Sequence, residues 1–156
     1  QLPNKRFEFR GEINRRKIYD DYAHHPNEIK ATIQLARLFI SENKDRDNKN
    51  RLVAIFQPHR YSRVNQFFYE FAEELSKADV IYLTNIYGAG ERNKYKITSQ
   101  IITDAILEKN KNVKYLSDYH EIVHNFEKLT QKGDLILNMG AGNCHNFWSI
   151  LNNKNK

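Results

Sequence analysis

Hydrophobic positions along the chain fall into two patterns, short continuous runs and stripes that recur every three or four residues. Short apolar runs are typical of buried strands. Stripes with a 3.6-residue period predict helices that turn one face toward a core. The runs predict strands at 52–56, 80–84, 113–116 and 135–139.

Helical stripes lie between the predicted strands, before the first of them and after the last. The clearest stripe runs from Val64 to Leu75 with the spacing i, i+3, i+4, i+7, i+8 and i+11. An earlier stripe begins after Pro26, which suits the first turn of a helix, and ends in the polar run 42–50. Three more stripes predict helices around 101–106, 122–129 and 147–151.

Two strands at 7–13 and 17–22, around a turn at Asn14 and Arg15, open the chain as a hairpin. Strands and helices then alternate, which is typical of βαβ units and a parallel sheet. We therefore expect an α/β fold: a Rossmann-like, three-layer domain with a mostly parallel sheet, helices on both faces and the antiparallel hairpin at the edge. Residues 1–156 are expected to form a single domain.

Composition agrees with a folded domain, since 40% of the 156 residues are hydrophobic. A chain of this length buries roughly 70% of its unfolded surface without a disulfide or a metal. A lone cysteine, Cys144, excludes an internal disulfide and is typical of a reducing compartment. No apolar run approaches the roughly 20 residues of a membrane span, and no signal peptide is visible. We expect a cytoplasmic protein without a membrane partner.

The net charge of +6 comes from scattered Lys and Arg residues. Their densest stretches, 44–51 and 109–114, are also rich in Asn and are interpreted as solvated loops. A basic nucleic-acid-binding domain is the alternative from a different class, and it predicts tight binding that weakens steeply with salt. Because the Lys and Arg residues are scattered along the chain, we expect no nucleic-acid partner.

Polar and titratable side chains gather directly after the predicted strands. Because parallel strands end at one edge of a sheet, and ligands bind beyond that edge, these positions are the candidate site. The four stretches are 20–26, 57–63, 85–91 and 140–143.

Arg60 and Arg63 are the strongest candidates within these stretches, with His59 beside them. They lie three residues apart at the start of a predicted helix, where they would share one face. Cations at a helix N-terminus oppose the macrodipole, so two of them indicate a bound anion. The alternative is that both are solvated and pair with surface acids.

His24 is a weaker candidate, as are Asp20 and Asp21, which are adjacent to each other in the sequence. His24 is either a hydrogen-bond donor to a ligand or a plain loop residue, and the two Asp side chains should face opposite sides of their strand. The histidines match no zinc spacing, so no metal site is expected. Gly140-Ala-Gly142 is interpreted as a tight strand-to-helix turn, and Cys144 as a buried, inert thiol.

No G-x-x-x-x-G-K-[ST] motif occurs, so the loop that cradles nucleotide phosphates is missing from the sequence. We therefore expect no catalytic residue that acts in this domain alone, and no ligase or ATPase turnover by the isolated chain.

Four longer motifs, DDYAHHPNE at 20–28, FQPHRYSR at 56–63, IYGAGE at 86–91 and NMGAG at 138–142, resemble the C-terminal domain of the Mur ligase family of peptidoglycan synthesis. The resemblance spans nearly the whole chain in order. Gly88 and Asn143 depart from the family pattern, which has Ala and Asp there. A related ligase that recycles murein peptides is the alternative within the family, and the HRYSR stretch argues against it.

The resemblance implies an ATP-dependent carbon–nitrogen ligase that joins L-alanine to UDP-N-acetylmuramate through an acyl phosphate. A UDP-sugar domain and a central ATPase domain, both absent from this chain, would be its partners, and the ATPase domain would hold the phosphates of ATP and Mg²⁺. It also implies residue roles: L-alanine would be bound by Arg60, Arg63, His59, Tyr22 and His24, and the ribose of the nucleotide by Asp21.

Overall fold

The computed structural model describes residues 6–43 and 50–156, and six strands within them form one sheet. The elements in chain order are β1 (Glu8–Ile13), β2 (Arg16–Asp21), α1 (Pro26–Asn43), β3 (Leu52–Phe56), α2 (Tyr61–Leu75), β4 (Val80–Leu83), α3 (Gln100–Leu107), β5 (Val113–Tyr115), α4 (Tyr119–His124), α5 (Phe126–Leu129), β6 (Leu135–Met139) and α6 (Asn146–Lys154). The strand order is β1-β2-β6-β3-β4-β5. Only the β1–β2 pair is antiparallel, so the predicted fold class and edge hairpin are confirmed.

The hairpin turns at Asn14 and Arg15, whose φ angles are 47° and 66°. Two positive φ angles in a two-residue turn match the right-handed twist of the strands that it joins. The register of β1 shifts between Phe9 and Gly11. A Cβ at Gly11 would overlap the indole ring of Trp148. Gly11 therefore lets the edge strand lie against α6.

Two apolar layers hold the helices against the sheet. Helices α1, α2 and α3 cover one face, with a core that includes Ile29, Phe71 and Ile102. Helices α4, α5 and α6 cover the other, where Val53 and Phe147 are buried. Each such side chain stabilises the fold by about 1.5–3 kcal/mol through its burial.

The last strand, β6, lies in the middle of the sheet, between β2 and β3. Helix α1 links β2 to β3, and the chain returns across the other face from β5 to β6. The carboxyl ends of β2, β6, β3 and β4 are therefore neighbours along one edge. This edge carries the predicted site.

Two helices differ from the expectation. The stripe at 122–129 forms α4 and α5 instead of one helix, because Asn125 departs from helical geometry with a φ of −107°. The helix after Pro26 ends at Asn43, and residues 44–49 of its polar run lie outside the described residues. No helix in the described part of the chain is long and apolar enough to span a membrane.

Candidate functional site

The loops after β3 and β4 are fastened to each other at the sheet edge. The N–H of Arg60 donates to the carbonyl of Tyr87 (2.8 Å), and the N–H of Tyr87 donates to the carbonyl of Pro58 (2.8 Å). Arg60 has a φ of 76°, a left-handed conformation that costs a non-glycine residue about 1 kcal/mol or more. These two hydrogen bonds hold the strained turn directly before α2.

His59 lies at the centre of the site. Its ring stacks on Tyr87, with ring centres 5.6 Å apart and planes 8° from parallel, and meets the ring of His24 edge-on at 5.8 Å. His24 in turn contacts Tyr22, at 5.4 Å between ring centres. Nη1 of Arg63 lies 3.2 Å from Nδ1 of His59. The fold thus joins four of the predicted site residues, Tyr22, His24, His59 and Arg63, in one cluster.

The surroundings of His59 favour its neutral form. Partial burial lowers the pKa of His59, and the positive charges of Arg63, His24 and Arg60 lower it further. A guanidinium at Nδ1 can only donate, so Nδ1 accepts and the remaining proton of the neutral ring is on Nε2. His59 therefore presents an N–H donor on its Nε2 edge.

His24 is oriented from behind by a carboxylate. Oε1 of Glu28 accepts from the N–H groups of His24 and His25, at 3.1 Å each, and lies 3.3 Å from Nδ1 of His24. The same Nδ1 is 2.9 Å from the carbonyl of Tyr22. Burial raises the pKa of Glu28, but these N–H groups, the charge of His24 and Arg6 outweigh it, and the net pKa is lowered. With Nδ1 engaged, the Nε2 edge of His24 is available to a ligand.

The two arginines have different surroundings. Arg63 lies in the first turn of α2, whereas Arg60 precedes the helix and its Nη1 is 3.8 Å from Oε2 of Glu91. The expectation that they share one helical face is therefore wrong, because the backbone of Arg60 is left-handed. No carboxylate among residues 6–43 and 50–156 pairs with Arg63. Both guanidinium groups lie at the start of α2 and keep N–H groups for an anion.

Asp20 and Asp21 face opposite sides of β2, as expected, and both are buried. Oδ1 of Asp20 accepts from the side chain of Asn138 (3.1 Å). Asp21, 2% exposed, accepts from the N–H of Phe7 (2.7 Å) and the N–H of Ala23 (2.8 Å). Burial raises the pKa of Asp21, against the lowering effect of these bonds. Its contact with a ribose stays a prediction, and it requires this buried carboxylate to become accessible.

The glycine-containing segment after β6 forms the tight turn that the sequence predicts. A Cβ at Gly142 would lie 2.6 Å from Cγ of Tyr87, so the glycine lets this turn pass against the tyrosine ring. Gln57 fixes the turn, because its Oε1 accepts from the N–H of Asn143 (3.1 Å) and its Nε2 donates to the side chain of the same residue. Cys144 is buried.

The sequence left several supporting residues without a role: Glu28, Gln57, Tyr87 and Glu91. A signal existed for Glu28, since a glutamate at the third helical position commonly reaches back to the N–H of the capping residue. The other three lie in the stretches after the strands, but their partners are in loops far apart in sequence, and no local pattern indicates those partners.

The arrangement can bind one small anion. It offers two guanidinium groups and an imidazole N–H beside the first turn of α2, on one side of the sheet edge. No group of three His, Cys, Asp or Glu residues in the described ranges could hold a metal ion. The hydrogen-bond donors gathered here are suited to recognise and orient a carboxylate or a similar anion.

Fold and site together define a class, an α/β domain that gathers arginine and histidine side chains at the carboxyl ends of parallel strands. The chain belongs to the Mur ligase family, since residues 5–142 match the family model described as "Mur ligase, glutamate ligase domain". The resemblance noted from the four motifs is thereby confirmed for the family.

Curated relatives carry the name UDP-N-acetylmuramate–L-alanine ligase. The protein from Prochlorococcus marinus subsp. pastoris is 67% identical over 157 residues, which cover 99% of this chain and 33% of the relative. The protein from Synechococcus elongatus is 46% identical over 143 residues, which cover 90% of this chain and 30% of the relative. This chain thus spans about a third of the length of the curated relatives that it matches.

Solved structures match nearly all of the chain. The UDP-N-acetylmuramate-alanine ligase of Thermotoga maritima aligns with a TM-score of 0.68 and 25% identity, over 96% of this chain and 29% of that one. A murein peptide ligase from Psychrobacter arcticus aligns with a TM-score of 0.73 and 23% identity, over 96% and 29% respectively. At that identity the second match shows the shared fold alone.

Proposed function

We propose that this chain is the C-terminal, amino-acid-positioning domain of an ATP-dependent ligase that joins L-alanine to UDP-N-acetylmuramate through an acyl phosphate. The name of a relative that is 67% identical supports this activity. The observation that carries the proposal is Arg63, which contacts His59 at the start of α2 and has no carboxylate partner within the described ranges. The carboxylate of an amino acid is the partner that such a guanidinium lacks.

In this proposal Arg63 and Arg60 bind the carboxylate of L-alanine, and the N–H of His59 adds a third donor. Tyr22 and His24 line the other side of the pocket. Because Nδ1 of His24 is held against the carbonyl of Tyr22, Nε2 of the neutral ring can accept a hydrogen bond from the amino group of L-alanine. Contacts at both ends of so small a ligand would fix the direction in which its amine points.

ATP and Mg²⁺ do not fit the residues described here. The sequence has no phosphate-cradling glycine loop, and the described ranges hold no cluster of metal ligands. We assign the phosphates and the metal to the central ATPase domain of the full-length enzyme, which would also have a separate domain for the UDP-sugar. Asp21 is assigned to the ribose of the nucleotide, as the family resemblance implies. The isolated chain should accordingly show no turnover.

The contribution of this domain to catalysis would be positioning. Holding an amine in line with its electrophile lowers the activation barrier by several kcal/mol, and by roughly 7–11 kcal/mol in the most favourable cases. Closure of the other domains over the site would also exclude water, which otherwise hydrolyses an acyl phosphate.

The test is steady-state kinetics of the full-length enzyme, with L-alanine and a murein tripeptide compared as acceptors. We expect L-alanine to be consumed. The substitution Arg63→Ala should raise the KM for L-alanine at least about tenfold, as for the loss of a charge-assisted hydrogen bond, and change the KM for ATP little.

Arg37→Ala is the matched control, because Arg37 pairs with Asp79 at 2.8 Å, away from the site. It should leave both KM values unchanged. Consumption of the tripeptide alone would contradict the proposed acceptor. Equal effects of Arg63→Ala on the KM values for L-alanine and ATP would contradict the role of Arg63.

A further inference from the structure

Helix α2 begins without a cap of its own. Arg60 occupies the capping position, and its side chain makes no hydrogen bond to the first turn. Ser, Thr, Asp or Asn normally stands there and accepts from a free N–H of the helix. An arginine cannot accept a hydrogen bond, so this helix needs an acceptor from elsewhere.

Glu91 supplies that acceptor from the loop after β4, 29 residues along the chain from Ser62. Its Oε1 accepts from the N–H of Ser62 (3.0 Å), and its Oε2 accepts from the hydroxyl of the same serine (2.5 Å). These two bonds, together with the charge of Arg60, lower the pKa of Glu91. The ionised carboxylate thus caps α2 from a distance.

The same carboxylate faces Arg60. Nη1 of Arg60 lies 3.8 Å from Oε2 of Glu91, which is an ion pair but too long for a hydrogen bond. The side chain of Arg60 is 45% exposed, and among the described residues its guanidinium donates no hydrogen bond. Glu91 therefore offsets the repulsion between Arg60 and the positive end of α2 while leaving the donors of Arg60 free.

The loop that carries Glu91 is itself fixed. The N–H of Glu91 donates to the carbonyl of Gly88 (3.0 Å). A Cβ at Gly88 would lie 3.0 Å from Cε2 of Tyr61, so the loop passes close to the first residue of α2. Tyr87, earlier in this loop, holds the N–H of Arg60. The position of Glu91 relative to Arg60 is therefore set by backbone contacts on both sides.

We infer that Glu91 is a positioning residue for the amino-acid carboxylate, which acts by orienting Arg60 and by capping the helix that carries Arg63. This inference rests on the proposed function, and it assigns a role to a residue that does not itself contact the ligand. A glutamine in place of Glu91 should still accept from the N–H of Ser62 and so cap α2. Because it is neutral, it should no longer orient the guanidinium of Arg60.

The test uses the full-length enzyme with Glu91→Gln, which preserves side-chain volume and one acceptor oxygen. We expect the KM for L-alanine to rise about fivefold to tenfold, as for the loss of a charge interaction, with the KM for ATP and kcat changed less than twofold. Glu73→Gln is the matched control, because Glu73 lies on the same helix and pairs with exposed Lys109, at 3.0 Å, away from the site. That control should change none of the three parameters.

A double-mutant cycle with Arg60→Ala distinguishes positioning from general destabilisation. If Glu91 acts through Arg60, Glu91→Gln should add less than about twofold to the KM for L-alanine in the Arg60→Ala background. Equal effects in both backgrounds, an unchanged KM for L-alanine in the single variant, or an equal rise in the KM for ATP would overturn the inference.

Failure of this inference is distinguishable from failure of the proposed function. A parent enzyme that does not consume L-alanine would contradict the function and, with it, the role of Glu91. A parent enzyme whose KM for L-alanine responds to Arg63→Ala and not to Glu91→Gln would contradict the role of Glu91 alone.

Discussion

His59 controls how much positive charge the site carries. Burial and the charge of Arg63 both lower the pKa of His59, so the site has two permanent cations and a ring that is mainly neutral at pH 7. A neutral ring can donate one proton to a ligand and accept one from Arg63 at the same time. The exposed arginines then attract the anion, and the imidazole helps to orient it.

We predict that Arg63→Gln raises the pKa of His59 toward the usual value of about 6.5 without reaching it. The rise follows from the loss of the neighbouring charge, and it stays incomplete because burial is the larger cause. An NMR titration of the imidazole signals measures it. Arg37→Gln, remote from the ring, should leave the titration unchanged, and a lower pKa in Arg63→Gln would contradict the assignment.

At the residue scale, the sequence identified the charged ligand-binding candidates and missed what holds them. His59 and Arg63 follow a strand end, where parallel sheets place their ligands, so their position carries the signal. Glu91 and Gln57 act through partners 29 and 86 residues away. Such partners depend on loop geometry, which no periodic pattern encodes.

Among the elements, α2 has the most distinct hydrophobic stripe, and it links the core to the site. Phe71 is fully buried in this stripe and its ring lies 5.2 Å from that of Phe56, while Tyr69 on the same helix is 65% exposed. The helix is kinked at Phe67, and buried Val64 fixes which side of the first turn faces the sheet, and so the direction in which that turn presents Arg63.

We predict that Phe71→Ala destabilises the chain by about 3–5 kcal/mol, because it removes a buried ring and leaves a cavity. Tyr69→Ala should change the free energy of unfolding by no more than about 0.5 kcal/mol. Urea unfolding followed by circular dichroism measures both. Similar losses in the two variants would contradict the observed orientation of α2.

The elements themselves could be predicted because their periods are clear over many residues. The stripe from Val64 to Leu75 and the apolar run at 52–56 leave little choice between helix and strand. The division between α4 and α5 was missed, since a stripe that continues across Asn125 has the same spacing in one helix or in two short ones.

For the whole molecule, one carboxylate joins three elements at the edge of the sheet opposite the site. Oδ2 of Asp79, directly before β4, accepts from Arg37 of α1 (2.8 Å) and from the N–H of Leu52 in β3 (2.7 Å). Burial alone would raise the pKa of Asp79, but these two hydrogen bonds outweigh it, and the net pKa is lowered.

A lowered pKa in the folded state means that the stabilisation by Asp79 is present above the unfolded value of about 3.9 and is lost as the pH falls through the folded value. Both side chains of the pair are 39% exposed, so screening by water limits the contribution to about 1 kcal/mol. Asp79→Asn should therefore be less stable than the parent at pH 7, and the difference should shrink as the pH falls toward 2. Urea unfolding at both pH values checks this, and an equal loss at the two would contradict it.

The order of the strands is the part of the fold that the sequence could not provide. The runs that form β3, β4 and β6 are buried on both faces, so their pattern fits any central position in a parallel sheet. Only the assembled structure shows that β6, at 135–139, lies between β2 and β3, the two strands that α1 connects.

The central place of β6 has a consequence for biosynthesis. Until the ribosome has released residues 135–139, β2 and β3 have no common neighbour, and their inner edges stay open to other chains. The sheet then closes through contacts between distant parts of the sequence, which slows folding. A nascent chain of this protein therefore exposes aggregation-prone strand edges until residues 135–139 have been translated.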